Sequence, residues 1–99
     1  MGIDVRLETE RAEPLGDPVY DTSNHLARAL ANGAGTCIDF IDPYGNTVFN
    51  QLQLPVLIGE LETLNGGLPS ELHGHVEGVL TLLRTGLDRP HICARFVGD

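Results

Sequence analysis

Histidine and cysteine are the residue types here best suited to metal binding or nucleophilic attack, and two close-spaced sets of them stand out: His73-Gly74-His75 and His91-Ile92-Cys93. Imidazole and thiolate are zinc ligands. Positions two apart on a helix point about 200° apart, so His73 and His75 cannot share one ion on a helical segment. His73 falls near Glu77 and Arg84 on a polar face, which reads as a His73–Glu77 surface pair. His75 falls at the edge of an apolar stripe. His91 and Cys93 would share one face of a strand. They are the weak candidates for a metal site, with no paired-cysteine spacing to support them.

A Cys–His–carboxylate set built on Cys37 or Cys93 would be nucleophilic chemistry. Neither cysteine stands at an expected helix N-terminus, where its pKa would fall. Ser23 and Ser70 are the only serines; both read as helix caps, and no G-x-S-x-G elbow surrounds either. Gly33-Ala34-Gly35-Thr36 is glycine-rich, but position 38 is Ile38 and the chain has no lysine. Neither a dinucleotide fingerprint nor a P-loop is present, and the segment reads as a loop entering a strand. Asp39 with Asp42, or Glu60 with Glu62, form carboxylate pairs of the kind acid–base catalysis uses, yet 14 acidic residues in 99 produce such pairs by chance. No catalytic set is visible, and no cofactor is implied.

Polar groups are densest between Asp42 and Asn50. Tyr44, Asn46, Thr47 and Asn50 follow one turn, and loops at strand ends often carry binding groups. Asp42 and Asn46 also suit turn hydrogen bonds. The expected binding residues are Asp39, Asp42, Tyr44, Asn46, Asn50 and Arg95.

The elements that must position these groups follow from periodicity. Ile3, Val5 and Leu7 alternate with Asp4, Arg6 and Glu8, the period of a half-buried strand. Pro14, Gly16, Asp17 and Pro18 read as loop. A short helix capped by Ser23 or Asn24 runs through Leu26, Ala29 and Leu30 to a stop at Asn32-Gly33. Residues 36–42 read as a second strand, with Ile38 and Phe40 on one face and Cys37, Asp39 and Ile41 on the other. Asp42-Pro43-Tyr44-Gly45 has the chemistry of a type I turn. Residues 46–52 fit a hairpin strand, with Val48, Asn50 and Leu52 on one face, and equally a helical turn capped by Thr47.

Pro55 suits a helix start. Leu57, Ile58, Leu61 and Leu64 then share a face, and Asn65-Gly66-Gly67 closes the helix. From Ser70, Leu72, Val76, Val79, Leu80, Leu83 and Leu87 form a stripe of period 3.6, broken at Gly86 to Pro90. His91 to Val97 reads as the last strand.

These elements predict a two-layer α+β fold: a sheet of three strands, or four, with two or three helices packed on one face. The first two strands, joined by one helix, suggest a right-handed parallel crossover. The open face would collect Asp4, Arg6, Glu8, Cys37, Asp39, Ile41, His91, Cys93, Arg95 and Val97, with Asp39 and Arg95 paired across strands.

Ninety-nine residues suit a single globular domain, 1–99. The net charge is −8, and all six bases are arginine. Such a chain repels phosphate, which argues against nucleic acid and anionic membrane surfaces as partners. Two cysteines make no disulfide framework and fit a reducing compartment. No secretory signal is visible, so a cytoplasmic location is expected. Together these features predict a small acidic protein-binding module docking a partner with a basic surface, with an inhibitor- or immunity-like role as its concrete form. A small-molecule or metal-binding protein with weak hydrolytic chemistry, using His91, Cys93 and the Tyr44 loop, is the first alternative. A self-associating structural domain is the second.

Overall fold

In the computed structural model, residues 2–31, 33 and 35–98 are described. Asn32 of the expected helix stop and Ala34 of the glycine-rich loop lie outside them. The chain forms β1 (Ile3–Thr9), β2 (Pro14–Val19), α1 (His25–Leu30), a 3-10 turn (Ile38–Phe40), β3 (Asn46–Asn50), α2 (Leu54–Asn65), α3 (Ser70–Arg84) and β4 (Ile92–Gly98). One four-stranded sheet runs in the order β2-β1-β4-β3. The α+β class expected from the sequence is present, with four strands and three helices.

All three strand pairings are antiparallel, so the expected parallel crossover is absent. Its premise was a strand at residues 36–42, and that segment is a turn instead. Glu60, on α2, takes the backbone N–H groups of Thr36, Cys37 and Ile38 at 2.8, 2.9 and 3.0 Å, and the Thr36 hydroxyl at 2.7 Å. Donors held by one carboxylate cannot also serve a ladder. Asp39 Oδ1 accepts from the Gly35 N–H at 3.3 Å and tightens the same turn.

The missing strand is replaced by the segment expected to be loop. Pro14 opens β2, and Pro18 lies within it. Proline is tolerated there because β2 is an edge strand. Three residues of β2, including Gly16 at φ 70°, bulge past Arg6 between the Val5–Val19 and Leu7–Leu15 pairs. Residues 46–50, left open by the sequence, form a strand, and Leu52 belongs to the turn after it.

Period two decides which face is buried. Ile3, Val5, Leu7, Ile92, Ala94, Phe96 and Phe49 all enter one core with the apolar sides of the helices. The α3 stripe supplies Val76, Val79, Leu80 and Leu83, all fully buried. Each such side chain contributes about 1.5–3 kcal/mol relative to exposure. Phe49 and Phe96 meet edge to face at 5.6 Å.

Helix α1 is too short to stand alone. Its N-cap, Asn24, sits at φ 60° and makes no side-chain cap bond, nor does Ser23 serve as the cap. Buried Asp21 does that work from three residues upstream. It accepts from Leu26 N–H and Ala27 N–H at 3.1 Å and from Ile3 N–H at 3.0 Å, tying the helix start to β1. Ser70 likewise is not a cap; Pro69 holds that position in α3.

Asp21→Ala leaves three backbone donors without their acceptor and is expected to cost about 3 kcal/mol. The check is a urea unfolding midpoint at unchanged m-value; a loss under about 0.5 kcal/mol would show that water replaces the carboxylate freely.

Candidate functional site

Of the expected site residues, Asn46, Asn50 and Arg95 share the open sheet face, while Asp39, Asp42 and Tyr44 lie in turns. Asp42 serves its own turn: its Oδ1 accepts from Tyr44 N–H at 2.8 Å, and its N–H donates to Thr47 Oγ1 at 2.8 Å. Asn50 and Gln53 exchange bonds, Asn50 N–H to Gln53 Oε1 at 2.9 Å and Gln53 N–H to Asn50 Oδ1 at 3.0 Å. Tyr44 and Asn46 are exposed near the end of the sheet. Asp39 lies in the 3-10 turn, away from Arg95, so the expected Asp39–Arg95 pair is replaced. Arg95 Nε donates to Glu8 Oε1 at 2.8 Å.

That pair belongs to the open sheet face, where Arg6 and Arg95 are direct cross-strand partners. Like charges so placed repel. Glu8 sits between them, its Oε2 3.8 Å from Arg6 Nε, and its side chain is 6% exposed. One carboxylate neutralises half of a double positive charge, and the Glu8 bond raises the Arg95 pKa further. Cys37, Asp39, Ile41 and His91 do not contribute to this face. Among the described residues it holds Asp4, Arg6, Glu8, Cys93, Arg95 and Val97, joined by Asn46, Val48 and Asn50 of β3.

His91 precedes β4 at φ 57°, which turns it off the strand, and its ring lies 3.6 Å from Glu10. His91, Cys93 and Glu10 border one shallow recess of about 320 Å³. No group of three metal-ligand side chains occurs among the described residues. Burial pushes the Cys93 thiol up, with Glu8 adding to it and Arg95 opposing. Burial and then Glu60 push Cys37 up. Neither is tuned as a nucleophile.

On α3, His73 Nδ1 meets the Asn65 carbonyl at 3.2 Å rather than Glu77, which binds Asn65 Nδ2 at 2.7 Å. His75 Nε2 lies 3.6 Å from Asp21 Oδ1. Burial lowers its pKa, against the upward pull of Asp21.

The surface that stands out was not expected. Residues 43–59 carry no charged side chain, in a chain where 20% of residues are charged. Of the seven large apolar side chains exposed among the described residues, five flank or lie in β3: Phe40, Tyr44, Val48, Leu52 and Val56. Leu52 is 85% exposed and Phe40 75%. Phe40, Leu52 and Val56 rim a groove of about 390 Å³ whose floor includes buried Cys37 and Phe49. The groove opens beside β3, one of the two sheet edges. The gap in charge was readable from the sequence. The exposure of Phe40 was not, because a strand at 36–42 would have buried it.

Comparisons with protein-family models, with curated proteins and with solved structures returned no match to this chain.

In native protein at about pH 8, both cysteines should alkylate more slowly than in the urea-unfolded chain, as raised pKa values and burial require. Peptide mass spectrometry measures each rate. A faster native rate at Cys93 would reveal an activated thiolate.

Proposed function

We propose that this chain is a small protein-docking domain whose contact surface is the uncharged, apolar region around β3 and the start of α2. One observation carries the reading: four exposed large apolar side chains, Tyr44, Val48, Leu52 and Val56, lie in the uncharged stretch 43–59, with exposed Phe40 just before it. Apolar side chains exposed together, as Phe40, Leu52 and Val56 are at the groove, mark interaction sites. The groove supplies concavity for an anchoring side chain, with Phe40 and Leu52 as adaptable walls.

The acidic excess supports a different role from the one the composition suggests. Many carboxylates already have partners within the chain. Glu71 meets Arg28, Glu62 and Glu77 meet Arg84, and Glu8 meets two arginines. Asp21 and Glu60 serve backbone donors. A basic partner therefore finds six of the 14 carboxylates already engaged within the chain, and weight moves from charge to apolar contact. The same net charge still disfavours phosphate-rich partners.

A photo-crosslinking side chain placed at Leu52, with a control at exposed Thr81 on α3, tests this in cells. Protein-sized adducts are expected from position 52 and not from position 81. Equal labelling from both, or none from 52, would sink the docking surface.

Glu60 gives the surface a pH limit. Its burial favours the neutral acid, but the Thr36 hydroxyl and the N–H groups of Ile38, Cys37 and Thr36 outweigh that and hold its pKa below the ordinary carboxylate value. A depressed carboxylate stabilises the fold above its unfolded pKa, and that contribution disappears as pH falls through the folded pKa. Glu60→Gln should therefore flatten the acid limb of the stability–pH profile, measured as urea midpoints between about pH 3 and 7. An unchanged acid limb would show that the carboxylate charge does not hold the 36–40 turn.

A further inference from the structure

We propose that the partner seated on this surface is a second copy of the chain, paired antiparallel through β3 so that two four-stranded sheets become one of eight strands. This rests on the docking reading above and names its occupant.

Hydrogen-bond parity identifies the open groups. Gly98 N–H donates to Gly45 C=O at 2.7 Å, and the β3–β4 register continues as Asn46–Val97, Thr47–Phe96, Val48–Arg95, Phe49–Ala94 and Asn50–Cys93. Bonded and non-bonded pairs alternate in an antiparallel ladder. Thr47 and Phe49 therefore face β4 with their backbone groups, and Asn46, Val48 and Asn50 face outward. The Asn50 N–H bond to Gln53 Oε1 agrees with that parity. Among the described residues, Val48 N–H and C=O have no partner.

The two edges of the sheet are built differently. Edge β2 carries Pro14 and Pro18, a bulge with Gly16 at φ 70°, and Asp17. These are the devices that block strand addition. Edge β3, Asn-Thr-Val-Phe-Asn, has no proline and no charge, and no register shift interrupts its pairing with β4.

The sequence of β3 also complements itself. Val48 is its middle residue and faces outward, so a two-fold axis there sets Val48 opposite Val48, where the two copies exchange both backbone bonds, with Asn46 opposite Asn50, which gives up its bonds with Gln53 to pair. Tyr44 of each copy comes to the end where the other presents Leu52. An isologous contact requires this reciprocity.

Charge selects the occupant. Two copies at −8 repel over most of their surfaces, and 43–59 is the stretch where they can approach without opposing charges. A basic protein would gain nothing from this stretch.

Sedimentation of the full chain over a concentration series, at low and moderate salt, tests the pairing. The expected result is a monomer–dimer equilibrium from 10.7 kDa to twice that mass, tightening as salt screens the repulsion. A basic partner would show the opposite salt dependence. Val48→Lys puts like charges at the axis and should raise the dissociation constant at least about tenfold. Val48→Pro removes an outward N–H that the β3–β4 ladder does not use and should act likewise, with circular dichroism of both variants reporting the fold. A concentration-independent monomer, or dimers that persist in Val48→Lys, would overturn the pairing. Crosslinks from Leu52 to a different protein would then keep the docking reading while discarding the self-partner.

Discussion

The Glu60 carboxylate sets the path of the chain between α1 and β3. Reaching from α2, it gathers three consecutive backbone N–H groups and a hydroxyl from Thr36 to Ile38. A turn of successive N–H groups is an anion cradle, and here the chain fills its own cradle. The glycine-rich approach to it is thereby explained without a phosphate. Because these donors are occupied, residues 36–40 cannot join the sheet. They fold beside it, Phe40 is left at the surface, and β3 becomes an edge.

Asp21 performs the equivalent task at the other end of the chain's first half. It gathers donors from β1 and α1, and its backbone N–H is held in turn by Asp4 at 2.8 Å. Two acidic residues thus act as internal connectors rather than as surface charge. Glu8 is a third, holding two arginines that would otherwise repel across adjacent strands. Much of the acidity is thus engaged inside the fold, and the count of 14 carboxylates overstates how many are free at the surface.

What remains after this internal pairing is a division of the surface. Charged side chains cover the hairpin end and the helices, while the β3 edge and the first turn of α2 are neutral and apolar. Like-charged molecules can meet only where charge is thin, so acidity elsewhere narrows the set of self-contacts to one side. In the proposed pairing, the same acidity that disfavours phosphate-bearing partners would favour a defined self-contact over random association.

Local patterning carried much of the fold. Period two in residues 3–8 and 92–97, and period 3.6 in residues 57–64 and 72–83, identified β1, β4, α2 and α3 and their buried sides. Those signals are legible because each element buries one face against one core. The type I turn at Asp42–Gly45 was legible for the same reason, being a matter of four adjacent residues. Tertiary structure alone decided the status of residues 14–19 and 36–42. Two prolines give residues 14–19 the composition of a loop, and only their place at an edge, where a residue without an N–H need not break a ladder, let them pair. Ile38 and Phe40, alternating with Cys37, Asp39 and Ile41, give residues 36–42 the pattern of a strand, and only a carboxylate 22 residues away in sequence removed it. The binding residues followed suit. The turn bonding of Asp42 was legible in the sequence, but Asp39 and Asn50 are also committed to local hydrogen bonds, while Phe40, Leu52 and Val56 reach the surface. Sequence determines which side of an element is apolar; which apolar sides stay uncovered depends on the neighbours, and those are set by contacts between residues far apart in the chain.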